Sequence, residues 1–91
     1  MDDQRLSGET LSWLEDLSRR GDPPPWVASW EGRDHLSGDS FIMVGRDGDR
    51  REDIYVTRDS GPAVLADLDV IAAARTYLPL LLAEIRRLRG S

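Results

Sequence analysis

The chain contains no cysteine, no lysine and no asparagine, and it has a single histidine. Without cysteine it can form neither a disulfide framework nor a thiolate metal site. No apolar run approaches the roughly 20 residues that cross a bilayer, and no basic region followed by an apolar stretch opens the sequence. We therefore expect a soluble, cytoplasmic protein without a membrane segment, and the residues indicate neither a metal nor a cofactor.

The charge balance is acidic and bears on the class of partner. The 91 residues carry 17 aspartates and glutamates against 12 basic residues, a net charge of −5. Because the phosphate backbone of nucleic acids favours clustered basic side chains, we do not expect a nucleic acid partner. The local exception is Arg86, Arg87 and Arg89, which we attribute to the favourable position of cations at a helix C-terminus.

A length of 91 residues predicts one domain, residues 1–91. The first section, residues 8–20, has helical periodicity, and Ser7 is a suitable N-cap. Three consecutive prolines follow, which exclude both a helix and a central strand. A chain this small must bury its largest apolar side chains, so the sequence predicts three core anchors, Trp13, Trp26 and Trp30.

Residues 26–58 are typical of a three-stranded antiparallel β-meander. They contain three runs of strand-forming residues, 26–30, 40–44 and 53–57. The Asp47-Gly48 pair between the last two runs predicts a tight hairpin. Since three strands with one apolar face are not stable bare in water, helices must cover that face. The sequence therefore predicts an α+β fold.

Residues 67–89 carry the strongest helical pattern, with apolar residues alternately three and four positions apart. Asp67 is a suitable cap, but Pro79 interrupts the pattern at about 3 kcal/mol if it lies inside a helix. A break avoids this cost if Thr76 caps a second helix, with Pro79 in its first turn. The sequence thus predicts a kinked or broken C-terminal helix that covers the meander together with the N-terminal helix.

The polar loop Glu31–Asp39 is the best local candidate for recognition, because long polar loops on a rigid scaffold tend to bind ligands or partners. A Ser–His–Asp triad is not expected there, since residues so close along one loop rarely converge. The acidic turn after residue 46 lacks the glycine and glutamate of a calcium loop. We predict no enzyme; the candidate ligand- or partner-binding residues are Trp30, Arg33, Asp34 and His35.

The apolar stripe of the C-terminal section is wider than a small sheet can cover. Three strands and a short helix shelter only part of it, and the remainder is suited to a protein partner or a second copy of the chain. The candidate interface residues are Leu78, Leu81, Leu82, Ile85 and Leu88.

The segment Ala66–Ile85 pairs an aspartate-capped Ile-Ala-Ala-Ala-Arg helix with a Leu-Pro-x-Leu-Leu helix. With Pro25-Trp26 at the start of the predicted meander, it resembles phage and prophage proteins of the Ead-like type. The resemblance covers about the last two-thirds of the chain, and its motif is moderately specific because alanine and leucine dominate it. It implies a meander followed by a helix pair and a mobile-element setting, and it carries over no catalytic residue.

These features favour a non-enzymatic protein-binding accessory protein of phage or mobile-element type. A narrower hypothesis is an immunity protein or antitoxin, because an acidic surface is steered towards a basic toxin. The alternative is a small-ligand binder, such as a nucleotide-sequestering protein, with Trp30, Arg33 and His35 at its pocket. The ligand hypothesis requires a pocket of a few hundred cubic ångströms that contains Arg33 or His35. The protein-binding hypothesis requires a dimer or a stable partner instead of such a pocket.

Overall fold

The computed structural model of the protein describes residues 6–90. These residues form an α+β fold of two helices and two small antiparallel sheets. The elements in chain order are α1 (Gly8–Arg20), β1 (Trp26–Ser29), β2 (Phe41–Val44), β3 (Thr57–Arg58), β4 (Gly61–Pro62) and α2 (Leu65–Leu88).

Helix α1 occupies the residues that the sequence predicted. The Ser7 side chain accepts a hydrogen bond from the Thr10 N–H at 3.0 Å, which is N-cap geometry. Leu11 is fully buried, whereas 56% of Trp13 is exposed. Trp13 follows Leu11 by two residues, which places its side chain about 200° further around the helix axis, away from the core. The prediction that Trp13 anchors the core is therefore wrong.

Strands β1 and β2 form the main antiparallel pair, in register from Trp26 opposite Val44 to Ser29 opposite Phe41. Ala28 of β1 is buried, and so are Ile42 and Val44 of β2. Trp26 and Trp30 are half-buried and pack against this core. These two tryptophans contribute to the core as the sequence predicted.

The predicted three-stranded meander is not confirmed. From the run 53–57, Ile54 alone bridges to β2 within the described residues, exchanging two backbone hydrogen bonds of 2.9 Å with Ile42. The chain then leaves β2, because Thr57 and Arg58 pair with Gly61 and Pro62 as a second two-stranded sheet. This short hairpin takes the place of the predicted third strand.

The turn after β2 depends on glycine. Gly45 and Gly48 both adopt a φ of 89°, which is in the region that favours glycine. At Gly45 a Cβ atom would also lie 2.5 Å from the Asp49 carbonyl oxygen. The Asp49 N–H donates to the Arg46 carbonyl at 2.9 Å, so a turn forms at the predicted Asp47-Gly48 pair.

Helix α2 is continuous from Leu65 to Leu88, so the predicted break near Thr76 is wrong, and the alternative prediction of a kink there is not confirmed. The helix also begins before Asp67, and Val64 precedes it without a side-chain cap. Pro79 lies inside α2, where it has no N–H to donate to the preceding turn. Tertiary contacts on both sides of the proline offset this loss: Thr76 bonds to β1, and Leu82 is buried.

The main core lies between the first sheet and the N-terminal half of α2. Its five buried residues are Ala28, Ile42, Val44, Leu68 and Ala72. Trp26, Trp30 and Ile71 pack around this cluster, each only partly buried. Neither helix of residues 6–90 combines the length and the apolar character needed to cross a membrane.

Two arginines of α2 form hydrogen bonds that hold α1 against α2. Arg86 donates to both carboxylate oxygens of Glu15 at 2.9 Å each. Arg75 donates to the Ser18 carbonyl at 2.7 Å and to its hydroxyl at 2.8 Å. The Ser18 carbonyl lies in the last turn of α1, where helical carbonyls lack internal partners. Arg86 therefore has a specific structural partner beyond the favourable helix C-terminus that the sequence indicated.

Candidate functional site

The structure brings Trp30, Arg33 and Asp34 of the predicted loop site together. The Arg33 guanidinium lies 3.9 Å from the centroid of the Trp30 ring, a cation–π geometry. Its two terminal nitrogens donate to both carboxylate oxygens of Asp69 on α2, at 2.9 and 3.2 Å. The Asp69 hydrogen bonds raise the pKa of Arg33 above its ordinary value, and the contact with Asp34 acts in the same direction. Arg33 thus attaches the loop to α2.

Asp34 holds the loop in a turn. Its Oδ2 atom accepts hydrogen bonds from the Trp30 backbone N–H at 2.8 Å and from Arg33 Nε at 2.9 Å. The backbone hydrogen bond from Trp30, followed by the bond from Arg33, holds the pKa of Asp34 below its ordinary value. Arg33 also donates to the Ala28 carbonyl at 3.3 Å. The polar groups of both residues therefore serve contacts inside the protein.

The His35 ring lies against Phe41, with ring centroids 5.4 Å apart. The Ser37 N–H donates to its Nδ1 at 3.1 Å, so the neutral ring carries its proton on Nε2. The Ser37 hydroxyl lies 2.7 Å from the same Nδ1. His35 Nε2 is shielded from solvent and has no hydrogen-bond partner among the described residues. Within residues 6–90, neither ring nitrogen is hydrogen-bonded to a carboxylate of the kind that orients the histidine of a catalytic triad.

A groove that the sequence did not predict lies beside the loop. Its volume is about 880 Å³, within the range of small-molecule sites. Neither Arg33 nor His35 lines it, contrary to the requirement of the ligand hypothesis. The hairpin of β3 and β4, which was not assigned from the sequence, forms one wall. The lining residues include Glu31, Asp39, Tyr55, Arg58, Leu65 and Leu68.

The predicted interface residues divide between the inside and the outside of the protein. Leu82 is 4% exposed and belongs to the interior, so it is not available to a partner. Leu78 and Ile85 are half-buried. Leu81 and Leu88 are 58% and 68% exposed. The exposed apolar surface is consequently rotated away from the centre of the predicted stripe.

Most of the large exposed apolar side chains of α2 lie on one side of the helix, which we call the open face of α2. Val70 and Tyr77 belong to it, with exposed fractions of 64% and 56%. Between Val70 and Ala83 the one charged residue is Arg75, which is turned towards Ser18 and Asp22. The open face consists of Val70, Ala73, Ala74, Tyr77, Leu80, Leu81 and Leu88.

Comparisons of the chain with protein-family models, with curated proteins and with solved structures find no match.

Proposed function

We propose that the protein is a non-enzymatic protein-binding module and that the open face of α2 is its docking surface. The single observation that carries this proposal is the exposure of large apolar side chains along one side of α2, without an exposed charge between Val70 and Ala83. Soluble monomers rarely expose contiguous apolar patches of this kind unless they serve an interaction.

The charge pattern at the end of this face supports the same role. Glu84 and Arg87 are the first exposed charged residues beyond the apolar stretch, and they form an ion pair with each other. A paired glutamate and arginine bring little net charge to the surface. The polar rim and apolar centre are the composition expected of a protein interface.

The test compares two aspartate substitutions at exposed leucines. Leu81→Asp places a charge in the open face, and Leu36→Asp places it on the loop, where Leu36 is 86% exposed. Wild type and both variants serve as bait in quantitative affinity purification from the source cells. Any protein retained must then be purified and titrated directly against all three. Binding by wild type and Leu36→Asp, with loss in Leu81→Asp, is the expected result. If no protein and no second copy distinguishes the two variants, the proposal is wrong.

The narrower proposal is an accessory protein of phage or mobile elements, of the immunity or antitoxin type. It is supported by the resemblance to Ead-like proteins and by the net charge of −5, which favours rapid association with a basic partner. Its test is co-expression with the neighbouring gene. We expect that gene to arrest growth alone and the wild-type chain to restore growth. Failure of rescue, or equal rescue by Leu81→Asp, contradicts this version.

A second candidate function is small-ligand binding in the groove beside the loop. The observation that favours it is the volume of about 880 Å³ together with Arg58 in the wall. Arg58 makes no ion pair with any residue in the described range, so its guanidinium is available to an anionic ligand. A nucleotide that raises the melting temperature of wild type and Arg46→Ala, but not of Arg58→Ala, supports this candidate. If no nucleotide of a panel changes the melting temperature of wild type, this candidate function is excluded.

A further inference from the structure

We propose that the occupant of the open face of α2 is the same face of a second copy, packed antiparallel about a two-fold axis near Tyr77. This inference rests on the proposed docking role of α2 and names its partner. The argument comes from the distribution of charge and of side-chain size along the helix.

The two ends of α2 carry opposite charges, which favours an antiparallel pair. Asp67 lies exposed in the first turn. Arg87 and Arg89 lie exposed at the C-terminal end, where Glu84 pairs with only one of them. In an antiparallel pair each acidic end lies beside the basic end of the other copy, and the helix dipoles are also opposed favourably. A parallel pair would place acidic ends together and basic ends together. Charge therefore selects the antiparallel orientation.

The same charges select the register. Asp67 and Arg87 are each ten residues from Tyr77, so a two-fold axis at Tyr77 brings Arg87 of one copy opposite Asp67 of the other. Sliding the copies by about one turn in one direction would set Glu84 against Asp67, a repulsive contact. Sliding them the other way would set Arg87 against Ile71 and remove its contact with Asp67. The register centred on Tyr77 avoids both arrangements.

Side-chain size is complementary in this register. Leu81 of one copy lies opposite Ala73 of the other, and Leu80 lies opposite Ala74. Large residues then face small ones, which allows the two helices to approach closely and interdigitate. Each contact occurs twice because a two-fold interface uses the same surface on both copies. The open face is thus complementary to itself.

The size of the face sets the strength of the dimer. A 24-residue helix is about 36 Å long and about 10 Å wide, so the two copies would cover roughly 700 Å². Stable interfaces usually bury more than about 1,200 Å². We therefore expect a reversible dimer that forms with increasing protein concentration. Sedimentation equilibrium from about 1 µM to about 1 mM covers the affinities of weak complexes.

The absence of cysteine allows a direct test of orientation and register. Single-cysteine variants Tyr77→Cys and Val70→Cys of the full chain are oxidised mildly and analysed on non-reducing gels. Helix axes about 8–10 Å apart place two axial Cα atoms about 4–5 Å apart, within disulfide range. The two Val70 positions are separated by about 21 Å along the antiparallel pair. We expect a covalent dimer for Tyr77→Cys and little or none for Val70→Cys.

Charge reversal checks the same register without a covalent bond. Asp67→Arg and Arg87→Asp should each weaken dimerisation, and the double variant should restore it. The two residues lie about 30 Å apart on one helix, so restoration requires contact between copies. Leu81→Asp should weaken the dimer by about tenfold or more, whereas Leu36→Asp should leave it unchanged. Circular dichroism confirms that each variant is folded.

Three results would overturn this inference. They are a wild-type chain that remains monomeric over the whole concentration range, equal crosslinking of both cysteine variants, and no restoration by the double charge reversal. If the chain is monomeric and a different protein still requires Leu81, the dimer is wrong and the docking role stands. If neither a second copy nor another protein requires Leu81, both are wrong.

Discussion

The hydroxyl group of Thr76 closes the open edge of β1 at Trp26. The Trp26 N–H donates to Thr76 Oγ1 at 2.9 Å, and the same hydroxyl donates to the Trp26 carbonyl at 2.9 Å. Of the described strands, only β2 pairs with β1. Unpaired backbone groups at a strand edge invite pairing with other chains. Thr76 therefore satisfies this edge and fixes α2 against the sheet.

Replacing Thr76 by valine should destabilise the fold. Thr76→Val keeps the shape of the side chain but removes both hydrogen bonds to the partly buried backbone of Trp26. We expect the free energy of unfolding to fall by about 1–3 kcal/mol, measured by urea denaturation. Thr57→Val, at an exposed position of β3, is the control and should change stability by less than about 0.5 kcal/mol. Equal stability of the two variants would mean that the Thr76 hydroxyl is dispensable.

The bond between Arg33 and Asp69 should order the loop that follows β1. Arg33→Ala removes the contacts with Trp30 and α2, so backbone amides of residues 31–39 should exchange hydrogen faster and the melting temperature should fall. Arg33→Lys should not restore either property, because lysine lacks the planar fork that binds both oxygens of Asp69. Hydrogen exchange and thermal unfolding measure the two effects.

A double-mutant cycle separates this contact from general effects on the loop. Because Arg33 and Asp69 act on each other, Arg33→Ala combined with Asp69→Asn should be less destabilised than the sum of the single variants. Fully additive losses would show that the contact contributes nothing. If Arg33→Ala leaves the hydrogen exchange of residues 31–39 unchanged, Arg33 does not order the loop. Its side chain would then be available to a ligand, as the sequence predicts.

The ion pair between Glu15 and Arg86 should make stability depend on acid pH. The hydrogen bond from Arg86 holds the pKa of Glu15 below its ordinary value of 4.5, aided by the charges of Arg86 and Arg19 and opposed by desolvation. A lowered folded-state pKa means that the stabilisation is fully present above the unfolded pKa. It is lost as the pH falls through the lower folded-state value.

Wild type should therefore lose more stability than Glu15→Gln when the pH is lowered from neutral to below 4.5. Urea unfolding at a series of pH values measures this difference. Glu9→Gln, at an exposed position of α1, is the matched control and should follow wild type. Parallel pH profiles for wild type and Glu15→Gln would exclude a stabilising role for the pair.

Truncation to alanine should destabilise the protein at Leu82 but not at the adjacent Leu81. Leu82 is 4% exposed, so Leu82→Ala should leave a cavity and reduce the free energy of unfolding by about 2–5 kcal/mol. Leu81 is 58% exposed, so Leu81→Ala should change the stability of dilute protein by less than about 0.5 kcal/mol. Chemical denaturation at low concentration avoids any contribution from association. Similar losses at both positions would contradict the orientation of α2.

Local signals were sufficient to predict α1 and the turn at Asp47-Gly48. The Ser7 N-cap and the glycine of the turn each act on residues that are near them in the sequence. Both features can therefore be recognised from the order of residues alone. The rotation of α2 is different, because the apolar stripe is wider than its buried part. Periodicity alone grouped Leu81 with Leu82, and only the positions of α1 and β1 decide which of them is buried.

Contacts between residues that are far apart in the sequence could not be predicted from it. Thr76 was interpreted as a helix cap because its partner, Trp26, lies fifty positions away. The loop residue Arg33 was interpreted as a ligand contact because nothing local indicates its pairing with Asp69. Composition similarly favoured a buried Trp13, although its helical position turns it outwards. Trp30, Arg33 and Asp34 of the candidate loop lie together, but the polar groups of Arg33 and Asp34 bind within the protein. The binding role of the loop stays a prediction.

Replacing Pro79 by alanine distinguishes a continuous helix from a broken one. In the continuous α2, Pro79 lacks a hydrogen bond to the turn before it and crowds that turn. Pro79→Ala restores the donor, so it should stabilise the protein by about 1–3 kcal/mol. If a second helix began at Thr76, Pro79 would lie in a favourable first-turn position, and alanine would bring no gain. Pro23→Ala in the exposed linker is the control and should be neutral or slightly destabilising, because it increases the freedom of the unfolded chain. Urea denaturation of both variants, with helix content from circular dichroism, decides between the two arrangements.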